Sequence, residues 1–349
     1  MVFGKKDHLV GLDIGSAFIK VAELKMGKKG NTLKKFGIAP VPSGAIDEGR
    51  IVDMQGLAKV IRSLFKSQKI KEKNVAISTG GHSVVIKTIS TPKISDKELH
   101  KTIRTEAEQY IPYDIDDVNI DYQILGESEF SPDQMNVLLV AVKKDLVAEY
   151  IELIRMAGLN PSIIDVDAFA LQNIYETLPD ENPEFVTLLV DVGASKTSLN
   201  ILKDNHSMMM RDMMAGGNQV VEAISDRLGV DFDSACQILL AGANTAEDEE
   251  TINEICTNIS NQWCSEICEV VHTFESGTND IKLEKILLSG GGFMKTFAQS
   301  LMSELDVQVS NINPFGGLIM DPAQIDDLEG LKLQAPIVLG LAMRRVDDK

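Results

Sequence analysis

The chain has 349 residues, of which 44% are hydrophobic and 25% are charged, a composition typical of folded domains rather than of disordered segments. Its 34 basic and 52 acidic residues give a net charge of −18, which argues against nucleic-acid binding and against attachment by charge to an anionic membrane. No apolar run approaches the roughly 18 residues of a membrane span, and the N-terminal MVFGKKDH lacks the apolar core of a secretory signal. We therefore expect a cytoplasmic protein of two or three domains.

Two segments of the chain, separated by 178 positions, resemble each other. Residues 11–25 read GLDIGSAFIKVAELK, and residues 189–203 read LVDVGASKTSLNILK, so that Asp13 aligns with Asp191. In both segments an apolar strand leads through a D-x-G motif and a turn of small residues into a second strand. We therefore predict two related halves that each open with a β-hairpin.

The predicted elements of the first half begin with this hairpin, a further strand after the turn signal GKKGN, and a helix over residues 53–68. The next segment has no counterpart in the second half. Ser95 and Glu98 form a capping box that opens its helix. The segment comprises a strand at 83–90, a helix at 95–110 and strands at 118–125 and 135–142. We interpret residues 83–143 as a small insert domain.

The remaining predicted elements alternate between helices and buried strands. They are a helix at 144–157, a strand at 162–166, a helix at 168–177, a second strand meander, a helical stretch at 217–277 with breaks near Gly229 and 241–245, a strand at 285–288 and a final helix at 336–346. This order predicts an α/β protein with two packed lobes. The predicted segments are the first lobe at 1–82 and 144–186, the insert at 83–143, second-lobe core at 187–216, a mainly helical subdomain at 217–284, and second-lobe core with a docked C-terminal helix at 285–349.

Three turns rich in small residues follow apolar strands, at 13–20, 191–197 and 289–293. Glycine lets backbone N–H groups approach a phosphate closely, and carboxylates at strand ends can hold Mg²⁺ through its waters. Lys20 or Lys196 would neutralise phosphate charge. A single turn of this kind indicates only a tight hairpin. Two related turns together with a G-G-G turn favour a nucleotide-binding site.

Motifs of several other enzyme classes are absent from the sequence. There is no G-x-x-x-x-G-K-[ST], no G-x-G-x-x-G after a strand, no G-x-S-x-G and no H-E-x-x-H. The four cysteines form no C-x-x-C, and Cys256, Cys264 and Cys268 fall near one face of a single helix. We interpret these cysteines as packing residues rather than as a metal or redox site.

The duplicated D-x-G hairpins with a third glycine turn resemble the actin/Hsp70/sugar-kinase ATPases. Four further segments make the resemblance more specific: IRTEAEQYIPYD at 103–114, NIDYQIL at 119–125, AGLNPSIIDVDAFALQNIYE at 157–176 and MAGGNQVVEAI at 214–224. The chain is similar to the PilM family, which comprises actin-like cytoplasmic proteins of type IV pilus assembly in the FtsA-like branch. The resemblance implies a two-lobed actin-like ATPase fold of duplicated RNase H-like domains, with a strand–helix–strand–strand insert in the first lobe.

The resemblance also implies a site for ATP or ADP with Mg²⁺. The first phosphate loop would be Asp13, Gly15, Ser16, Ala17 and Lys20, and the second Asp191, Gly193, Ala194, Ser195, Lys196 and Thr197. The adenosine turn would be Gly290, Gly291 and Gly292, with Gly216, Gly217 and Asn218 near the phosphates or ribose. Asp13 and Asp191 would hold the metal through water. Asp167, the one catalytic candidate, would face the γ-phosphate.

One segment departs from the family pattern. Relatives commonly have an A-E-x-x-K-like sequence whose acid and lysine approach the ribose and adenine. Here Cys236 replaces the acid and Leu239 replaces the lysine. The departure leaves the nucleotide preference open and removes neither phosphate loop.

By the same resemblance, we expect a nucleotide-binding scaffold that binds the N-terminal cytoplasmic peptide of PilN. Because the insert is a separate module without a phosphate-loop signature, we further hypothesise that the peptide binds in the groove between the insert and the first lobe. The scaffold would lie at the inner membrane through its partners and link PilN to the pilus motor ATPases. ATP hydrolysis would be slow or absent. We also expect a role in twitching motility and the possibility of self-association.

The sequence leaves two alternatives open. One is an active ATPase or small-molecule kinase of the same fold, which would need Asp167 as its base. The other is an FtsA-like cell-division filament protein. That family typically ends in an amphipathic membrane helix, for which the ending LGLAMRRVDDK leaves no room.

Overall fold

The computed structural model describes residues 8–47, 49–81, 83–128, 131–179, 181–242, 245–278, 281–292, 295–320 and 328–346. The strands are β1 Val10–Ile14, β2 Phe18–Lys25, β3 Asn31–Pro40, β4 Ile46–Asp47, β5 Arg50–Ile51, β6 Asn74–Thr79, β7 Val84–Pro92, β8 Val118–Ser128, β9 Ser131–Lys143, β10 Asn160–Val166, β11 Thr187–Val192, β12 Thr197–Lys203, β13 His206–Met213, β14 Lys285–Ser289, β15 Gln308–Asn311 and β16 Leu318–Ile319. The helices are α1 Met54–Ser67, α2 Asp96–Ala107, α3 Lys144–Met156, α4 Asp167–Tyr175, α5 Gly217–Leu228, α6 Phe232–Ala241, α7 Ala246–Gly277, α8 Lys295–Leu305, α9 Leu328–Leu331 and α10 Pro336–Ala342.

The first lobe contains a six-stranded sheet in the order β10-β6-β1-β2-β3-β16. The predicted hairpin and third strand form an antiparallel meander, β1 to β3, while β6 runs parallel to β1 and β10 runs parallel to β6. The apolar face of α1 packs on this sheet through Leu57, Ile61 and Leu64, as its spacing predicts. Because parallel strands point the same way, the carboxyl ends of β1, β6 and β10 lie at one edge.

The second lobe repeats this plan in a five-stranded sheet, β13-β12-β11-β14-β15. β11 to β13 form an antiparallel meander, and β14 and β15 run parallel to β11. The two hairpins share one register, since Asp13 lies opposite Lys20 and Asp191 lies opposite Ser198, a shift of 178 on both strands. The predicted duplication and the two-lobed α/β fold are therefore confirmed.

The insert is a three-stranded sheet, β7-β9-β8, covered by α2. The predicted capping box is present, since the Ser95 side chain accepts from the Glu98 N–H and the Glu98 side chain accepts from the Ser95 N–H. The two ends of the insert lie side by side, with the Lys143 N–H donating to the Ser83 carbonyl at 3.1 Å. The insert therefore leaves and re-enters the first lobe at one place.

The helical subdomain contains α5 to α7, with breaks where the sequence predicts them. The long helix α7 places Cys256 and Cys264 in the second-lobe core, and Cys268 packs against it. The Sγ atoms of Cys264 and Cys268 lie 4.0 Å apart without a disulfide. Among the described residues, no helix is both long and apolar enough to cross a membrane.

The C-terminal elements join the first lobe rather than the second. The predicted helix at 336–346 is shorter, ending at Ala342, and α10 packs on α4 and β1. β16 extends the first sheet beside β3. The segment 285–349, expected to belong to the second lobe, is thus divided between the lobes. The division has a packing cause, because Val338 and Leu339 complete an apolar cluster formed by α4 and both sheets.

Gly340 allows α10 to lie directly on α4, since a Cβ there would be 1.7 Å from the Ala170 carbonyl oxygen. We expect Gly340→Ala to lower the free energy of unfolding by about 3 kcal/mol or more, because backbone and not a flexible side chain must move. The matched control is Gly277→Ala, where a Cβ meets nothing within 4 Å, and stability should hold or rise by about 0.5–1 kcal/mol. Urea denaturation measures both, and equal losses would contradict the assignment.

Candidate functional site

The carboxyl ends of the two sheets face each other across a cleft between the lobes. The tips of the two hairpin turns touch, with Ser16 Oγ 2.8 Å from Ser195 Oγ. Lys196 on the second turn reaches Asp167, the residue that follows β10, at 2.6 Å. Clefts at the carboxyl ends of strands are where α/β folds bind ligands. The structure thus brings the predicted phosphate loops together.

The two turns have the same backbone geometry. The Gly15 N–H donates to the Phe18 carbonyl at 3.1 Å, and the Gly193 N–H donates to the Lys196 carbonyl at 2.8 Å. A Cβ on Gly193 would meet only its own turn's carbonyl oxygen, at 3.1 Å. A Cβ on Gly15 would meet its turn's carbonyl at 3.1 Å and then the side chains of Lys20 and Asp13. Both glycines therefore keep their turns free of side chains, as close approach of a phosphate requires, and at Gly15 the free space lies beside the charged groups of Lys20 and Asp13.

The two aspartates of the D-x-G motifs are held differently. Asp13 is buried and accepts from Lys20 Nζ at 2.8 Å, and burial raises the pKa of its carboxyl despite that lysine. Asp191 accepts from Ser289 Oγ at 2.6 Å. Burial raises the pKa of Asp191 to about 6, outweighing the hydrogen bond from Ser289 and the charge of Lys20. Both carboxyls would gain from a nearby cation, because they are desolvated.

Lys196 bridges the two lobes. Its Nζ lies 2.6 Å from Asp167 of the first lobe and 3.4 Å from Asp212 of β13, and Asp212 also accepts from the Gly81 N–H. Burial alone lowers the pKa of Lys196, but the two carboxylates outweigh it and the pKa lies above its ordinary value. Burial likewise raises the pKa of Asp167, but Lys196 brings it below the usual range. The ion pair is therefore fully charged at neutral pH.

The charges around the cleft fit a magnesium nucleotide. Four carboxylates face two ammonium groups in the described part of the site, which leaves two negative charges in excess. They are Asp13, Asp167, Asp191 and Asp212 against Lys20 and Lys196. A bare triphosphate would be repelled, whereas Mg²⁺ supplies the missing charge and keeps its waters between itself and carboxylates.

The remaining glycines of the predicted site hold the second turn in place. Gly217 and Asn218 at the start of α5 donate their N–H groups to the carbonyls of Gly193 and Ala194, at 3.0 and 2.8 Å. A Cβ on Gly292 would lie 2.0 Å from the Gly193 oxygen. Packing of backbone on backbone thus accounts for these positions, and the amides of Gly217 and Asn218 are already engaged.

The rest of the predicted loop residues lie around this packed turn. Thr197 Oγ1 donates to the Ala215 carbonyl at 2.7 Å, which ties β12 to the segment before α5. Gly216 packs against Ala194 and Gly291 against Gln334, while Gly290 takes a φ of +93° beside Val192 and donates its N–H to Leu333. Ala17, at the tip of the first turn, is exposed.

The segment that departs from the family pattern lies on α6. Cys236 and Leu239 both pack against the second-lobe core, and burial raises the pKa of the Cys236 thiol. Neither side chain offers the ionic or strongly hydrogen-bonding group that the family pattern has at these positions.

A groove of about 350 Å³ opens beside the cleft, where the insert meets both lobes. The insert lines it with Val84, Val85, Ile86, Lys87, Tyr110 and Pro112, the first lobe with Val166, Asp167 and Ala168, and the second lobe with Met210, Arg211 and Asp212. β7 and β13 lie next to each other, and each pairs with a single neighbour in its own sheet. The groove therefore lies between two strand edges that present free backbone groups.

Sequence reasoning missed Asp212, Ser289 and Gly81 as parts of the site. In the sequence, Ser289 stands out only as the first residue of the glycine turn. Asp212 could have been found from the pair Arg211–Asp212. Those two charges interrupt a run of methionines on β13, where an apolar strand is expected to continue.

Comparison with known proteins defines the family. The family model for "Type IV pilus assembly protein PilM" matches residues 11–346. The chain belongs to the PilM family. A solved structure described as the PilM–PilN type IV pilus biogenesis complex superposes with a TM-score of 0.87 at 27% identity, covering 99% of this chain and all of that chain. This PilM family member is therefore an actin-like protein of type IV pilus assembly.

More distant relatives share the fold. The ethanolamine utilization protein EutJ from Carboxydothermus hydrogenoformans superposes with a TM-score of 0.56 at 12% identity, over 97% of this chain and 90% of EutJ. The cell division protein FtsA of Bacillus subtilis (strain 168) is 20% identical over 84% of this chain and 74% of its own length. This chain spans 52% of FtsA from Streptococcus pneumoniae and 61% of FtsA from Enterococcus hirae.

The raised pKa of Asp191 predicts a pH effect on stability. The folded state keeps a proton on this carboxyl up to about pH 6, whereas the unfolded chain loses it near pH 4. Stability therefore falls as pH rises between these values, and the cost is fully present above pH 6. Asp191→Asn, which mimics the protonated form, should match the native protein near pH 4 and exceed its unfolding free energy by about 1–3 kcal/mol at pH 7.

Urea denaturation at several pH values measures this difference. The control is Thr88→Ala, a change of an exposed residue of the insert that does not titrate, and its difference from the native protein should be the same at each pH. A constant difference for Asp191→Asn as well would contradict the prediction.

Proposed function

We propose that this PilM family member is a magnesium-nucleotide-binding scaffold that binds the N-terminal cytoplasmic peptide of PilN. The observation that supports nucleotide binding is that two turns with the same hydrogen-bond pattern meet across a cleft with excess carboxylates. The TM-score of 0.87 with the structure of a PilM–PilN complex supports PilN as the partner. Its place is the cytoplasmic side of the inner membrane, reached through PilN.

In this proposal the first and second turns hold the phosphates from opposite lobes. Lys20 and Lys196 neutralise phosphate charge, and Asp13 and Asp191 hold Mg²⁺ through its waters. The metal, when bound, supplies the positive charge that lets a triphosphate enter a cleft of net negative charge. Because the two turns belong to different lobes, together they would hold one nucleotide and keep the cleft closed.

ATP hydrolysis is slow or absent in this proposal, because Asp167 is a poor base. Its carboxylate is paired with a cation, which is Lys196 at 2.6 Å in this structure, and its lowered pKa reduces its affinity for a proton from water for as long as a cation occupies that place. The ion pair disfavours an active ATPase or kinase. Phosphate release under multiple turnover distinguishes these enzymes from a scaffold.

The PilN peptide binds, in this proposal, in the groove where the insert meets both lobes, between β7 of the insert and β13 of the second lobe, rather than between the insert and the first lobe alone. An extended peptide can pair with the free backbone groups of a strand edge, and small apolar pockets select its side chains. Val84, Val85 and Ile86 line the groove on one side and Met210 on the other. A groove of this size buries a short segment rather than a folded partner. Links to pilus motor ATPases, and self-association, belong to the same proposal.

The metal assignment is tested with Asp13→Ala and Asp191→Ala. Saturating Mg-ATP should raise the melting temperature of the native protein, because a ligand that binds only the folded state stabilises it by mass action. Each variant should lose this rise, measured from its own melting temperature without nucleotide. Asp117→Ala, remote from the cleft, should keep it. A full rise in both cleft variants would refute the assignment.

The peptide assignment is tested by replacing residues 83–143 with a short linker, which the adjacent Ser83 and Lys143 allow. Fluorescence anisotropy with a labelled PilN peptide should show binding lost, while Mg-ATP binding remains, since the insert contributes none of the cleft's phosphate turns. Ile86→Asp in the intact chain should weaken peptide binding at least tenfold, about 1.4 kcal/mol. Thr88→Asp, exposed and outside the groove, is its control. Retained peptide binding in the folded deletion or in Ile86→Asp would place the peptide elsewhere.

A further inference from the structure

The ammonium group of Lys196 lies where the cleft and the groove meet. Lys196 belongs to the second hairpin turn, whose tip meets the first turn through Ser195 and Ser16. Its Nζ nevertheless contacts Asp167 at 2.6 Å and Asp212 at 3.4 Å, and both of these residues line the groove. A Cβ on Gly80 would lie 2.0 Å from Nζ, so the first-lobe backbone encloses the ammonium from a third side. One charge therefore serves both sites.

The two groove carboxylates depend on this charge. Within the described part of the chain, Lys196 is the residue that forms ion pairs with both Asp167 and Asp212. The other cations of the groove, Lys87 and Arg211, are exposed at its mouth. Moving Lys196 away would leave two partly buried carboxylates without their nearest counter-ion, which costs free energy unless another cation replaces it.

We propose that Lys196 is an exchangeable counter-ion that couples the two sites, an inference that rests on the proposed function. A phosphate at the second turn attracts the ammonium toward the cleft. Asp167 and Asp212 then accept a cationic group of the peptide, either a Lys or Arg side chain or the α-ammonium. Nucleotide and peptide each bind more tightly when the other is present, and by the same factor.

Lys20 provides a matched control for this role. It lies on the strand after the first turn and is paired with Asp13 at 2.8 Å, but it does not line the groove. Both lysines are partly buried and face the cleft. Burial lowers the pKa of each lysine, but the neighbouring aspartates outweigh it, so that both pKa values lie above the ordinary value. They differ in that Lys196 alone of the two contacts groove carboxylates.

The experiment measures the dissociation constant of Mg-AMPPNP by calorimetry, with and without saturating PilN N-terminal peptide. In the native protein the peptide should tighten nucleotide binding at least about fivefold. Lys196→Met should bring the ratio of the two constants within twofold of one. Lys20→Met should weaken nucleotide binding in both conditions and keep the native ratio. A peptide that is N-acetylated, with norleucine for each Lys and Arg, should give no tightening in the native protein.

Three outcomes would overturn the coupling. They are a native ratio within twofold of one, a native-like ratio in Lys196→Met, and full tightening by the uncharged peptide. If the native protein fails to bind either ligand alone, the proposed function itself is wrong and the coupling falls with it. Binding of each ligand alone with no tightening leaves the proposed function intact and refutes only the role of Lys196.

Discussion

Buried charge at the meeting edge of two sheets is the constraint on which this structure depends. Four aspartates lie at or just after the ends of strands whose carboxyl ends converge, and of these Asp13 is buried and the other three are half-buried. Each is compensated by a specific donor, from lysine ammonium groups to the Ser289 hydroxyl and the Gly81 N–H. Removing one partner of such a set leaves an uncompensated charge, which costs more than the pair contributes. The same charged residues therefore form the candidate site and hold the two lobes in contact.

An apolar cluster that includes residues of both sheets also sets how the lobes meet. α4 and α10 lie between the sheets and pack against Leu24 of the first and Leu189, Leu202 and Leu287 of the second. The close packing of apolar side chains in this cluster fixes how the lobes fit together. The ion pairs of the cleft add a second constraint on the position of the lobes. A ligand that alters the ion pairs therefore acts on two lobes that an apolar cluster already holds together.

Local patterns in the sequence predict a large part of this arrangement. The D-x-G repeat predicts two hairpins, and the structure gives them one register and one turn geometry. The capping box predicts the start of α2. Those features depend on neighbours in the chain. The pairing of Lys196 with Asp167 and Asp212 depends instead on how the lobes are placed, to which α10 contributes from the far end of the chain. No periodicity within one element carries that information.

The position of α10 also has a consequence for synthesis of the protein. β1 and α4 are covered by a helix that begins 161 residues after α4 ends. At about 5–20 residues per second, the ribosome takes roughly 8–30 s to make that stretch. During this interval the apolar faces of the nascent first lobe, including Leu171 and Ile174, lack their cover. Half-made chains are therefore the species most exposed to aggregation and most in need of a chaperone, and the first lobe completes its fold only after the second has been made.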